Sequence, residues 1–336
     1  MRASPPSIFG RCTTVFAALA LCAAALPANA TPYTVIDVPG ASNTSATGIN
    51  TQGVVVGWYG DRDHPHGYIR AIDGSFTMFD PDGSVYTAPV GINDKGVVVG
   101  SYEMGDLWRG FIRKPNGHIT TILSGVNNLN ANAINAGGDV CGDVYDSHGT
   151  LHAFLRVADG TFIQFDPPDS IFAEADSIND SGVVAGQFED SQYREHGFMR
   201  APDGTITVFD VPGPLWTVGD TINAAGSIAG AYSDGLDWHG FIRDPAGGFT
   251  SFDAGVLPGT RVNSAMINDR GVIAGFDQTR RRRDHTYIRK PDGTINDLHV
   301  PGQYGYAIAF AINSKGAIAG TFQDSQNVYH GFLRTP

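Results

Sequence analysis

Histidine and aspartate recur in this chain at a spacing of fourteen residues: His66 with Asp80, His152 with Asp166, His196 with Asp210 and His239 with Asp253. An imidazole beside a carboxylate can serve as a general base or a pH sensor, or it can tie two strands together by a charge-assisted hydrogen bond. A second set is carboxylate. Asp176 and Asp220 each stand three residues before the Asn of an Ile-Asn dipeptide, Glu174 lies close by, and Arg261 is a candidate charge stabiliser. Two carboxyls about 5 to 9.5 Å apart can act as acid and base in glycoside cleavage. A third set is aromatic: Trp58, Trp108, Trp216, Trp238, Tyr304 and Tyr306, interleaved with Asp61, Asp63, Asp106, Asp234 and Asp237. Flat rings beside hydrogen-bond acceptors suit sugars, whose C–H faces stack and whose hydroxyls donate.

Other chemistries lack their residues. The chain has no Gly-x-Ser-x-Gly elbow, phosphate-binding glycine loop, paired CxxC or HExxH. His285 and His299 form one imidazole pair, but no third ligand accompanies them, so neither a metal nor a cofactor is expected. Arg280 to Arg283 form a basic run that reads as a solvated loop, or as a dock for phosphate or an acidic polymer.

The elements that must position these residues repeat. Ile-Asn occurs at 49–50, 92–93, 134–135, 178–179, 222–223, 267–268 and 312–313, each time with glycines three and seven residues after the Asn and a His-Gly-aromatic-x-Arg-like segment further on. A period of 42 to 45 residues marks stacked supersecondary units. Within 175–210 the unit reads as four strands, a to d: 175–179, 183–188, 196–200 and 205–210, joined by Asp180-Ser181-Gly182, a variable polar loop and Pro202-Asp203-Gly204. Seven four-stranded units of this size predict an all-β, seven-bladed propeller filling 31–336 as one domain. The last repeat lacks a d strand, whereas 33–40 resembles 207–213, so the first strand is expected to complete the last blade and close the ring.

The register of the c–d hairpin explains the fourteen-residue spacing. Pro-Asp-Gly fits a three-residue turn with glycine in the left-handed position, which puts Ala201 opposite Thr205 and His196 opposite Asp210. The same count pairs His330 with Asp37 across the ring closure and sets His285 against His299. In the second repeat both members change together, to Arg109 and Leu123, as strand-end ties would and independent catalytic residues would not. Arg70, Arg113, Arg156, Arg200, Arg243, Arg289 and Arg334 lie four residues after the His position, on the same strand face. They could line an anion channel, but a stem packed between blades with its head on backbone carbonyls suits them better. The Asn of Ile-Asn reads as the a–b turn former.

The repeats also resemble the bacterial extracellular repeats of the HAF family, through cores such as His152-Ala153-Phe154 and His196-Gly197-Phe198, over the whole of 31–336. The resemblance implies a secreted β-propeller and no agreed biochemical activity. Residues 1–30 agree with the location: Arg2, Arg11, an apolar stretch from Val15 to Leu26, and Ala28-Asn29-Ala30 read as a secretory signal cleaved before Thr31. Cys22 raises a lipoprotein alternative, which Leu21 before it disfavours. Removing the signal takes away Cys12 and Cys22, leaves Cys141 as a small hydrophobe, and leaves 20 basic against 34 acidic residues, a net charge of −14. Such a charge disfavours nucleic acid and anionic membrane, and no later stretch is long and apolar enough to span a bilayer.

Uniform turns on one side of the propeller and variable loops on the other place recognition on the variable face. The expectation is a monomeric, non-catalytic module that binds an extracellular glycan or protein through the aromatic set. A polysaccharide-cleaving enzyme using Asp176, Asp220, Glu174 and Arg261, and a structural envelope module, are the alternatives.

Overall fold

The computed structural model describes residues 33–122, 128–213, 216–254, 261–278 and 284–336. They form seven four-stranded antiparallel sheets arranged as the blades of a β-propeller, with no helix among the described residues. Blade 4 is typical: strand a spans Ser170–Ile178, b Val184–Asp190, c Glu195–Arg200 and d Ile206–Phe209. In blade 7 the first three strands are Ala307–Ile312, Ile318–Gln323 and Tyr329–Arg334, and the outer one is Tyr33–Ile36, whose Tyr33 pairs with Arg334. The exchange predicted from the chain ends therefore closes the ring.

Each blade is built around one aromatic on strand c. Tyr68, Phe111, Phe154, Phe198, Phe241, Tyr287 and Phe332 are all fully buried, each contributing about 1.5–3 kcal/mol of hydrophobic stabilisation. The ring lies on the glycine of strand b, where nothing larger fits: a Cβ on Gly142 would stand 2.0 Å from the carbonyl oxygen of Asn130 and 2.9 Å from the Phe154 ring. The tight turns follow the expected geometry, with Gly204 at φ 93° and its N–H donating to Ala201 O at 2.9 Å.

Blades are joined by the repeated polar residues. Asn50, Asn93, Asn135, Asn179, Asn223, Asn268 and Asn313 are buried, and the Oδ1 of each accepts the N–H four residues on at 2.9–3.0 Å, closing the a–b turn. Their Nδ2 groups donate to the carbonyl of the next blade's Asn at 2.8–3.3 Å, and Asn313 returns to Asn50. The turn former is thus also one link in a closed sevenfold ring. The arginines behave as interblade packing: Arg113, Arg156, Arg200, Arg243 and Arg289 donate to the next residue's carbonyl at 3.3 Å. Four of these guanidinium groups lie 4.9–5.1 Å from a phenylalanine of the preceding blade, Phe79, Phe165, Phe209 or Phe252.

Candidate functional site

The histidines occupy strand ends. His66, His152, His196 and His330 meet Asp80, Asp166, Asp210 and Asp37 at 2.8–2.9 Å, and His239 meets Asp253 at 2.5 Å. In four blades the other ring nitrogen faces a second carboxylate, at the start of the b–c loop: Asp146, Asp190, Asp234 and Asp324, at 3.2–3.6 Å. Each such imidazole clamps its loop between two aspartates, a contact that the c–d register alone did not reveal. Asp146 and Asp190 also accept backbone N–H bonds from their loops, and both titrate at about 2. This is the pattern of a loop clip. Leu123, opposite Arg109, lies outside the described residues, as do Arg280 to Arg283. His285 is set opposite His299 by the register, and no group of three metal-ligating side chains occurs among the described residues.

The carboxylates cluster around Asp176, which lines the central channel. In six blades strand a carries a bulge three residues before the repeated Asn, at Thr47, Val90, Asn132, Asp176, Asp220 and Phe310. A bulge re-aims its side chain. Several of these side chains reach the neighbouring blade: Thr47 donates to Pro89 O at 2.6 Å, Asn132 to Ala175 O at 3.2 Å, and Asp220 accepts from Ala265 N at 2.9 Å. Asp176 makes no such bond through Oδ2, which is buried without a partner, while the residue lines a channel cavity of about 320 Å³. Glu174 accepts from Gln187 at 2.8 Å, and Asp143, which the motif reading did not single out, accepts from Asn130 and Asn132 at 2.9 and 2.5 Å. Burial, then the neighbouring charges of Glu174, Asp220 and Asp143, push the Asp176 carboxyl well above the usual carboxylate range. Burial raises Asp220 to about 7, and raises Glu174 and Asp143 as well. Arg261 begins strand a of blade 6, pairing with Gln278, and its side chain lies outside the described residues.

The aromatic set divides. Trp58 and Tyr306 wall a second cavity of about 300 Å³ at the variable-loop end of blades 7, 1 and 2, together with Tyr86, Phe310, Tyr329 and Arg62. Arg62 lies over the Tyr329 ring at 3.8 Å, and Tyr306 stands 5.6 Å from that ring. Trp108 adjoins this group through an edge contact with Tyr86 at 4.9 Å. Trp216 and Trp238 lie elsewhere. Trp216 Nε1 donates to Tyr193 O at 3.5 Å, and Trp238 packs on the core cluster of blades 5 and 6 that includes Phe252 and Val262. Tyr304 is 76% exposed and outside the cavity. Tyr86 stands seven residues before the repeated Asn, as Trp216 and Tyr306 do, and Tyr329 just before the His position, as Trp108 and Trp238 do, so aligning the repeats could have found both; Arg62 lies in a variable loop with no such signal. Asp143 was more legible: it follows the strand-b glycine, where other blades have Trp, Ser, Gln, Ala, Phe or Thr.

No model of a known protein family matches the chain, and no curated protein matches it in sequence. Among solved structures it is similar to a streptogramin B lyase, at 14% identity and a TM-score of 0.61, over 91% of this chain and 98% of that one. It is similar to virginiamycin B lyase from Staphylococcus aureus at 13% identity and a TM-score of 0.57, over 91% and 99%. A prolyl endopeptidase structure aligns at 11% identity and a TM-score of 0.66, over 88% of this chain and 48% of that one. Likeness at such identities is one of fold, the seven-bladed β-propeller.

Proposed function

We propose that the chain is a secreted, HAF-type extracellular propeller that binds a glycan at the mouth of its channel without catalysing a reaction. The observation that carries this reading is the cavity of about 300 Å³ walled by Trp58, Tyr86, Tyr306 and Tyr329 and edged by Arg62. Rings give stacking faces for pyranose C–H groups, and the guanidinium gives donors for hydroxyl oxygens. Its walls come from three blades, so the rigid ring fixes their spacing. Secretion rests on the signal-like residues 1–30, with Thr31 as the mature start, and the mature charge of −14 suits a monomer in solution more than a nucleic-acid or membrane binder. Applied to a broad array of polysaccharides and bacterial glycans, the protein is expected to be retained by one class. Retention by none, with capture of a protein partner instead, would replace the glycan by a protein ligand.

A second reading, cleavage of the bound polysaccharide, is favoured by one observation: Asp176 and Asp220, on adjacent blades, both carry raised pKa values, as an acid catalyst requires. Shortened or unsaturated products from the retained glycan, lost in Asp176→Asn, would establish it. A structural envelope module would show neither retention nor products.

A further inference from the structure

We infer that the central channel takes a protonated amino group of the bound glycan, with Asp176 as its counter-ion, so that the ligand is an amino-sugar polymer carrying free amines. This rests on the glycan reading and adds the chemical class. Three observations lead to it. The aromatic cavity and the channel cavity are neighbours on either side of one shared lining residue, Phe310, so a chain stacked on Trp58 and Tyr306 lies next to the channel. The channel cavity is lined by Asp176 and by uncharged residues such as Thr47, Asn132, Ser177 and Thr221, with no lysine or arginine among its described lining residues. The Asp176 carboxyl, moreover, has Oδ2 buried with no protein donor, whereas Glu174 and Asp220 each have one and Asp143 has two.

A buried acceptor without a donor, among other carboxyls, is a site for a cation that the protein itself does not supply. An ammonium group fits better than a metal ion. It brings three N–H donors and needs only acceptors, whereas a metal needs several ligating side chains within bonding reach, and no group of three occurs among the described residues. Titratable groups face Asp176 from three strands. Glu174 is on its own strand, Asp143 and Cys141 are on strand b of blade 3, and Asp220 is on strand a of blade 5. Burial and these carboxyls push the Asp176 carboxyl well above the usual carboxylate range in the empty channel. An entering ammonium favours the charged form: a proton carried by Asp176 leaves to solvent as its O–H bond breaks, and the N–H groups donate to the carboxylate. Binding of the amine thus releases a proton and strengthens as pH rises, up to the pKa of the amine itself.

The test is calorimetric titration of the purified protein with a glucosamine oligomer and with its fully N-acetylated counterpart, each in two buffers of different ionisation enthalpy. The expected result is about tenfold or more tighter binding of the amine form, with proton release for that form alone. In Asp176→Asn the two oligomers should bind alike. Since that exchange is nearly isosteric, a thermal melt checks its fold, and proton release by the unaltered protein tests the point without any variant. Equal binding of both oligomers, or a preference that survives in Asp176→Asn, would overturn the amine assignment while leaving glycan binding intact. Binding of neither would overturn both. Displacement of the amine form by micromolar calcium would make the channel a metal site and overturn the amine assignment.

Discussion

At the scale of residues, the buried carboxyls oppose folding and the strand-end clips favour it, and each responds to pH in its own window. Asp220 is raised to about 7 by burial, against a reference near 4 for an unfolded aspartate. Below pH 4 it is protonated in both states and costs nothing. As pH rises towards 7 only the unfolded chain ionises freely, and stability falls by about 1.4 kcal/mol per pH unit at most. With water entering the channel, about 2–4 kcal/mol is expected over that window. Asp220→Asn, which keeps an oxygen for Ala265 N–H, should therefore raise the melting temperature at pH 7.5 and leave it unchanged at pH 3.5. An unfolding scan at both pH values would show this, and a loss of stability at pH 7.5 would contradict it. The clips stabilise the fold, the histidine at low pH and the aspartates above pH 4. Burial opposes the charge of His239, but its bonds to Asp253 and Asp234 outweigh this and raise its pKa. That stabilisation is fully present below the unfolded value near 6.5 and is lost as pH rises through the folded value. Asp146 and Asp190, at about 2, contribute stability above pH 4 that is lost as pH falls through 2. In His239→Gln the melting temperature should drop at pH 5.5 and move little at pH 9, and hydrogen exchange in the 234–237 loop should rise only at the lower pH.

At the scale of elements, what was legible depended on sequence distance. The His–Asp register followed from a turn of three residues and the two-residue period of a strand, so every tie predicted between described residues is present. The Asn ring was half legible. A dipeptide before a glycine turn announces a turn former, but Nδ2 reaches a carbonyl 42 to 45 residues away, or 263 across the closure, and nothing local encodes that bond. Asn179→Ala removes the acceptor for Val183 N–H and the donor to Asn223 O, leaving both groups without that partner. A loss of about 2–4 kcal/mol in urea unfolding is expected, since each buried polar group left unpaired costs about 1–3 kcal/mol. A loss below 0.5 kcal/mol would mean that the ring bears no load. The aromatic set was the least legible. All six rings are aromatic residues in variable loops or beside them, yet Trp58 and Tyr306 share a cavity whereas Trp238 fills an interblade gap, because blade order around the ring, and not sequence spacing, decides which loops converge.

At the scale of the molecule, seven near-identical blades make a rigid ring whose closure depends on the pairing of Tyr33–Ile36 with the c strand of blade 7. Deleting 33–38 would leave that edge unpaired, and light scattering on heating should detect association at a lower temperature than for the intact chain. Function, on this account, is the place where the blades differ. The uniform residues build the ring, and the channel mouth is built from variable positions: Trp58, Tyr86, Tyr306 and Tyr329 on one side, Asp176 within. The most direct test compares Trp58→Ala with Trp238→Ala for binding to the polysaccharide class that the unaltered protein retains. The account predicts at least a tenfold loss of affinity for Trp58→Ala and an unchanged affinity for folded Trp238→Ala. Full affinity in Trp58→Ala would contradict the assignment of the aromatic cavity as the binding site.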